Sequence, residues 1–203
     1  WDGNETWLVL GGGGLFVAFP KAYGVIMSGL YLPIIIMLLA LVFRGVAFEF
    51  RWVAKPKHAM WDLAFMGGSI VAAFAQGVVL GGLLQGIHVE NGQFAGGPFD
   101  WLTPFSLFCG VALVAGYALL GATWLILRVD GELEVWAREK AKVALLAVLG
   151  ATLLISLWTP FSIPRIWDRW FQWPNMLYLS PVPLLTALAA LMCWRGLETN
   201  RQA

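Results

Sequence analysis

Residues 25–48 read VIMSGLYLPIIIMLLALVFRGVAF, and Arg44 is the single charged side chain in this run. A membrane-spanning helix needs roughly 20 consecutive residues that are mostly apolar. Lipid offers no hydrogen-bond partners, so such a run satisfies its backbone groups internally by forming an α-helix. The run therefore predicts a helix that crosses a membrane.

Five further apolar runs flank this one, and short polar links separate them. They cover residues 6–23, 63–87, 101–127, 143–158 and 176–193. Pro20 interrupts the first of the five. The sequence thus predicts an all-α fold, a polytopic transmembrane helix bundle with about six membrane-spanning helices in a single membrane domain over residues 1–203.

The composition supports a membrane protein. Of the 203 residues, 60% are hydrophobic and 12% are charged, whereas soluble domains are about 25% charged. The mean hydropathy is +0.75. The net charge of +1 gives no basic excess that would favour nucleic acid, so we expect membrane lipid and membrane proteins as partners.

The basic residues predict the orientation in the membrane, because cytoplasmic loops are enriched in Lys and Arg. If the loop at residues 49–60 faces the cytoplasm, ten of the 13 basic residues lie on that side. Only Lys21, Arg165 and Arg169 lie on the other side. The first helix then begins near the cytoplasm.

The chain opens with WDGNETWLVLGGGG at residues 1–14. Asp2 and Glu5 lie in a first helical turn, where the helix dipole favours negative charge; the alternative is that Asp2 carries protons inside the bundle. Four glycines, Gly11, Gly12, Gly13 and Gly14, remove all side-chain bulk from a full turn. We therefore expect a close neighbour there, either a helix, a quinone-like ligand or a small-molecule path.

Other small and charged residues have structural interpretations. Gly77 and Gly81 form a GxxxG spacing, which predicts close helix packing within the bundle or against a partner subunit. Arg44, Glu49 and Arg51 flank a helix end, and snorkelling with a local ion pair explains them.

The sequence predicts no haem or metal ligated by this chain. His58 and His88 are the only histidines, and they lie at loop edges on opposite sides of the predicted membrane. Two such histidines cannot hold one haem. Cys109 and Cys193 lie in apolar runs without a CxxC spacing, so we interpret them as small buried side chains.

Several segments carry a family resemblance. WDGNETWLVLGGGG at 1–14, MWD at 60–62, FAQGVVLGGLLQG at 74–86 and the glycine-rich run at 94–125 occur in order. Together they closely resemble subunit II of the cytochrome bd type quinol oxidases, especially the cyanide-insensitive branch. The resemblance covers roughly the first 145 residues. The family normally has a further helix before this region and more helices after it, and the chain starts without a methionine, so we expect a fragment of a longer subunit.

The resemblance implies a multi-pass subunit of a respiratory complex in the bacterial cytoplasmic membrane. Such complexes oxidise quinol and reduce dioxygen to water. Haem b and haem d belong to the partner, subunit I, and subunit II lacks the haem ligands. A small single-helix subunit is a further expected partner, and the resemblance leaves open whether a quinone also binds to subunit II.

The resemblance also assigns roles to individual residues. Asp2 matches the acid of the family's WDGN motif, an expected member of a proton pathway, and we include Glu5 in the same pathway. Trp7 matches an aromatic residue near the oxygen-access side. The glycines are expected to serve helix and subunit packing.

A membrane transporter or permease fragment is the alternative function. Its glycine-interrupted first helix would open a binding site near the middle of the bilayer. A transporter of this kind should show a second interrupted helix in its other half. The nearest candidates, WLTP at 101–104 and LSPVP at 179–183, lie near the ends of apolar runs, which favours the oxidase.

Overall fold

The structure is a computed structural model that describes residues 3–54 and 58–198. Its helices are α1 Gly3–Ala18, α2 Pro20–Gly29, α3 Tyr31–Val53, α4 His58–Gln85, α5 Pro104–Ile126, α6 Glu132–Ser162, α7 Pro164–Trp170, α8 Asn175–Leu179 and α9 Pro181–Glu198. The extended structure in these residues is a short antiparallel pair, β1 Val89–Glu90 with β2 Gln93–Phe94. The predicted all-α class is therefore confirmed.

Five helical segments are long and apolar enough to cross a bilayer: α3, α4, α5, α6 and the stretch Asn175–Glu198 formed by α8 and α9. A shorter apolar helix covers Glu5–Ala18. Helices are the form in which such segments satisfy most of their backbone groups internally, as lipid requires. The prediction of a polytopic membrane helix bundle is confirmed.

The first two predicted helices, 6–23 and 25–48, divide differently in the structure. Phe19 leaves the helical region at φ −137° and ψ 62°, and Pro20 then begins α2. Proline has no N–H to donate and crowds the preceding turn, so the chain bends there. Leu30, at φ −121° and ψ 19°, separates α2 from α3. Residues 25–29 thus belong to α2 and not to the spanning helix.

Helix α6 begins at Glu132, eleven residues before the predicted apolar run at 143–158. Glu132 and Glu134 lie in its first turn, where the helix dipole favours negative charge. The guanidinium of Arg138 pairs with the Glu134 carboxylate 2.8 Å away, one turn apart. The charged segment is helical because its charges are complementary at helical spacing.

Contacts divide the chain into two compact units, Trp1–Gly110 and Val111–Ala203. The core of the first unit contains Met37, Ala40, Ala72 and Ala75, with Leu8 of α1 packed against it. The core of the second contains Ala122, Ala141, Leu145 and Leu197. A single membrane domain over residues 1–203 stays a prediction.

Candidate functional site

An ion pair joins α1 to α3 in the first unit. Nη2 of Arg44 donates to Oε1 of Glu5 at 2.6 Å, and about a quarter of each side chain is exposed. Nε of Arg44 is buried and has no hydrogen-bond partner among the described residues. The Glu5 carboxylate therefore supplies the negative charge that compensates this cation.

Arg44 lies well inside its helix. It stands nine residues before Val53, the end of α3, which corresponds to about 13 Å along the axis. It also lies inside the apolar run that ends at Phe48, where a charge is costly unless it is paired. Leu8, one turn after Glu5, packs on the core of α3 and α4.

Small residues of α4 bring its neighbours close. A methyl group added to Gly68 would lie 2.7 Å from the carbonyl oxygen of Ala40 on α3. Two more glycines face α5. A methyl group at Gly77 would lie 2.6 Å from the backbone carbonyl oxygen of Cys109, and a methyl group at Gly81 would lie 2.6 Å from the Cα of Ser106. Helix α4 therefore packs between α3 and the first turns of α5.

The glycines of α1 have different surroundings. Methyl groups added to Gly11, Gly12, Gly13 or Gly14 would meet no described atom within 4 Å. Trp7, on the same helix, is 71% exposed. Asp2 lies outside the described residues. Of the predicted proton-pathway residues, the structure thus describes Glu5 and gives it a partner.

The local ion pair predicted for Arg44, Glu49 and Arg51 was wrong. Arg44 pairs with Glu5, and Arg51 donates through Nε to the carboxylate of Asp62 on α4. Both partners come from other helices because each arginine lies on a side of α3 that another helix covers. The Arg51–Asp62 pair is about half exposed, and Phe50 stacks on Trp61 beside it, with ring centroids 5.1 Å apart.

The start of α5 is fixed by a reciprocal cap. The Ser106 N–H donates to Oγ1 of Thr103, and the Thr103 N–H donates to Oγ of Ser106, both at 3.1 Å. This is the capping-box arrangement. Oγ1 of Thr103 also bonds to Oε1 of Gln85 at the end of α4, at 2.5 Å. The WLTP segment is therefore a helix start and not an interruption within a helix.

The histidines are far apart. His58 is the first residue of α4, and His88 follows its last residue, Gln85. A helix of 28 residues is about 42 Å long. No group of three or more His, Cys, Asp and Glu side chains that could hold a metal ion occurs within residues 3–54 and 58–198.

Comparison with known families decides the assignment. The family model described as cytochrome bd terminal oxidase subunit II matches residues 1–203. The chain belongs to this family. It is therefore a multi-pass protein of the bacterial cytoplasmic membrane, in agreement with its five long apolar helices. The predicted resemblance is confirmed, and the transporter alternative is set aside.

Individual relatives agree. The chain is 37% identical over 170 residues to the cytochrome bd-I ubiquinol oxidase subunit 2 of Escherichia coli (strain K12). The matched region is 80% of this chain and 45% of the relative. It is 35% identical over 158 residues to the cytochrome bd ubiquinol oxidase subunit 2 of Bacillus subtilis (strain 168). That match is 75% of this chain and 46% of the relative. The chain thus spans about half the length of the curated relatives that it matches.

Proposed function

We propose that this chain works as part of subunit II in a quinol oxidase that couples quinol oxidation to the reduction of dioxygen to water. The family assignment supports this activity, and the names of the E. coli and B. subtilis relatives specify ubiquinol. The chain would form a heterodimer with subunit I, stabilise it, and line proton access from the cytoplasm. A small single-helix subunit and lipid complete the proposed assembly.

The Glu5–Arg44 pair is the observation that carries the proton-access role. Buried ionisable residues in membrane helices commonly mark ion and proton paths. Glu5 lies at the end of α1 that the basic-residue distribution places near the cytoplasm, and its carboxylate reaches Arg44 at 2.6 Å. A carboxylate beside a fixed cation can accept a proton and pass it on while the charge of the cation stays in place.

Asp2 and Trp7 complete the proposal for α1. Asp2 precedes Glu5 by three residues, which is one helical turn in a continuous helix, so it would stand next to Glu5 on the same route. The exposed ring of Trp7 would face the oxygen-access side. The open glycine turn at Gly11–14 would lie against subunit I, because a turn without side chains lets another helix approach closely.

The chemistry of electron transfer is assigned to haem b and haem d, which subunit I would hold. His58 and His88 cannot ligate one haem together, since they lie at opposite ends of α4 and both ligands of one haem must lie within a few ångströms of its iron. This chain's own residues would bind subunit I and move protons. Quinol is the proposed substrate of the complex, and a quinone bound to this chain stays a question for experiment.

The variant Glu5→Gln in the purified oxidase tests the proton-access role. The amide cannot carry a proton, so oxygen consumption driven by quinol should fall about 10-fold or more, because positioned proton-transfer groups contribute roughly 10²–10⁴-fold. Reduced-minus-oxidised spectra should show unchanged haem b and haem d. Glu5→Asp, which keeps the carboxylate, should recover part of the rate.

Glu139→Gln is the matched control, because Glu139 is exposed on α6 and has no proposed role in proton access. It should leave the oxygen consumption unchanged. Equal turnover in Glu5→Gln and the parent oxidase would refute the proton-access role. Copurification of this chain without haem-bearing subunit I would refute the assignment to the complex.

A further inference from the structure

Gly68 lies where α4 comes closest to the turn of α3 that carries Arg44. A methyl group at this position would lie 2.7 Å from the Ala40 carbonyl oxygen, 3.2 Å from the Arg44 nitrogen and 3.4 Å from the Arg44 Cβ. In an α-helix, the N–H of residue 44 donates to the carbonyl of residue 40. Gly68 therefore packs directly on the backbone hydrogen bond that fixes the start of the Arg44 side chain.

Helix α1 touches the same contact surface through Leu8. Leu8 packs against the cluster that contains Ala40 of α3 and Ala72 of α4, and Ala72 is one turn beyond Gly68. The distance between α3 and α4 thus bears on the place of Arg44 and on the surface that Leu8 contacts, one turn from Glu5. A shift of α3 by several tenths of an ångström would alter the pair.

The Arg44 guanidinium has little capacity to absorb such a shift. Its Nε is already buried without a partner among the described residues, and its Nη2 is 2.6 Å from Glu5. Moving the cation away from this carboxylate would leave a guanidinium that is about three-quarters enclosed without its compensating charge, which is unfavourable. A small displacement should therefore have a large effect on the pair.

We infer that Gly68 is a positioning residue for the Glu5–Arg44 pair: its missing side chain lets α4 hold α3 at the distance at which the arginine reaches the carboxylate. This inference rests on the proposed proton-access role for its effect on turnover. Its effect on the geometry of the pair is independent of that role.

The test is a double-mutant cycle of Gly68→Ala and Glu5→Gln in the purified oxidase, with oxygen consumption and the thermal midpoint as readouts. Gly68→Ala alone should lower turnover about 10-fold with unchanged haem spectra. In the Glu5→Gln background it should lower turnover no further, because the pair is already lost. The losses in thermal midpoint should likewise be less than additive, since residues that act through one interaction couple.

Gly67→Ala is the matched control, because a methyl group there meets no described atom within 4 Å. It should change neither readout. Additive losses in both readouts, or a Gly68→Ala oxidase that behaves like Gly67→Ala, would overturn the inference. A third outcome separates the two roles. If the losses in thermal midpoint are less than additive but Glu5→Gln has normal turnover, the proton-access role is refuted and the positioning role is supported.

Discussion

The helix glycines of this chain differ in what surrounds them. Gly77 and Gly81 face the backbone of α5 at contact distance, whereas Gly116 and Gly121 have no described atom within 4 Å of an added methyl group. A glycine in a helix costs roughly 1 kcal/mol relative to alanine. Close packing against α5 offsets that cost at Gly77 and Gly81. At Gly116 and Gly121 the structure shows no packing within this chain that would offset it.

We predict that Gly81→Ala lowers the free energy of unfolding by about 1–3 kcal/mol, the usual range for overpacked sites, because the methyl group would lie 2.6 Å from the Cα of Ser106. Gly121→Ala should be neutral or stabilising by up to about 1 kcal/mol. Thermal melts of the purified oxidase measure both. Identical midpoints for the two variants would contradict the packing role of Gly81.

The Glu5–Arg44 pair shows what the sequence could predict at this scale. Glu5 was included with Asp2 in the predicted proton pathway, but its partner was missed. The two residues are 39 positions apart, and only the tertiary structure brings them together. The usable signal was that Arg44 lies inside the apolar run, whereas Glu49 and Arg51 follow its end at Phe48.

At the scale of elements, hydropathy located the spanning helices better than it located their ends. The runs at 63–87 and 101–127 agree closely with α4 and α5. Hydropathy measures apolar content, whereas a helix continues as long as its backbone bonds are made and its charges are complementary. Helix α6 therefore extends through a charged segment to Glu132, and α1 ends at Ala18 inside an apolar run because Pro20 follows.

Arg138 ties the start of α6 to the end of α9. It bonds the Glu134 carboxylate at 2.8–2.9 Å and the Gly196 carbonyl oxygen at 3.4 Å, and the pair's side chains are only 12% and 15% exposed. We predict that Arg138→Gln destabilises the protein by about 1–3 kcal/mol, because it removes the charged hydrogen bonds to the largely enclosed Glu134 carboxylate. Hydrogen exchange should increase at the last turn of α9.

Lys140→Gln is the control for Arg138→Gln, because Lys140 is exposed on the same helix and lies over the Trp136 ring at 5.8 Å. An exposed cation–π contact is worth about 0.5–1 kcal/mol, so its effect should be small. If the two variants show the same exchange in α9, the tie between α6 and α9 is not a significant stabilising contact.

At the scale of the whole molecule, the asymmetry of basic residues is the strongest sequence signal. Ten of 13 lie on one predicted side, and this statistic needs no knowledge of packing. What it cannot predict is which exposed surfaces meet protein and which meet lipid. The spanning window within the stretch Asn175–Glu198 has no residue buried within this chain, against a third of the window in α4, and both kinds of surface are apolar.

The orientation gives the last prediction, made on two single-cysteine additions in the first unit. Gln93→Cys, in the exposed hairpin strand β2, should react with a membrane-impermeant maleimide in intact cells. Ala59→Cys, exposed in the first turn of α4, should react only after permeabilisation, because the loop before it carries the predicted cytoplasmic charges. The parent oxidase provides the background, since Cys109 is buried and Cys193 is partly buried. The reverse labelling pattern would invert the topology and place Glu5 on the outer side, where it could not take up protons from the cytoplasm.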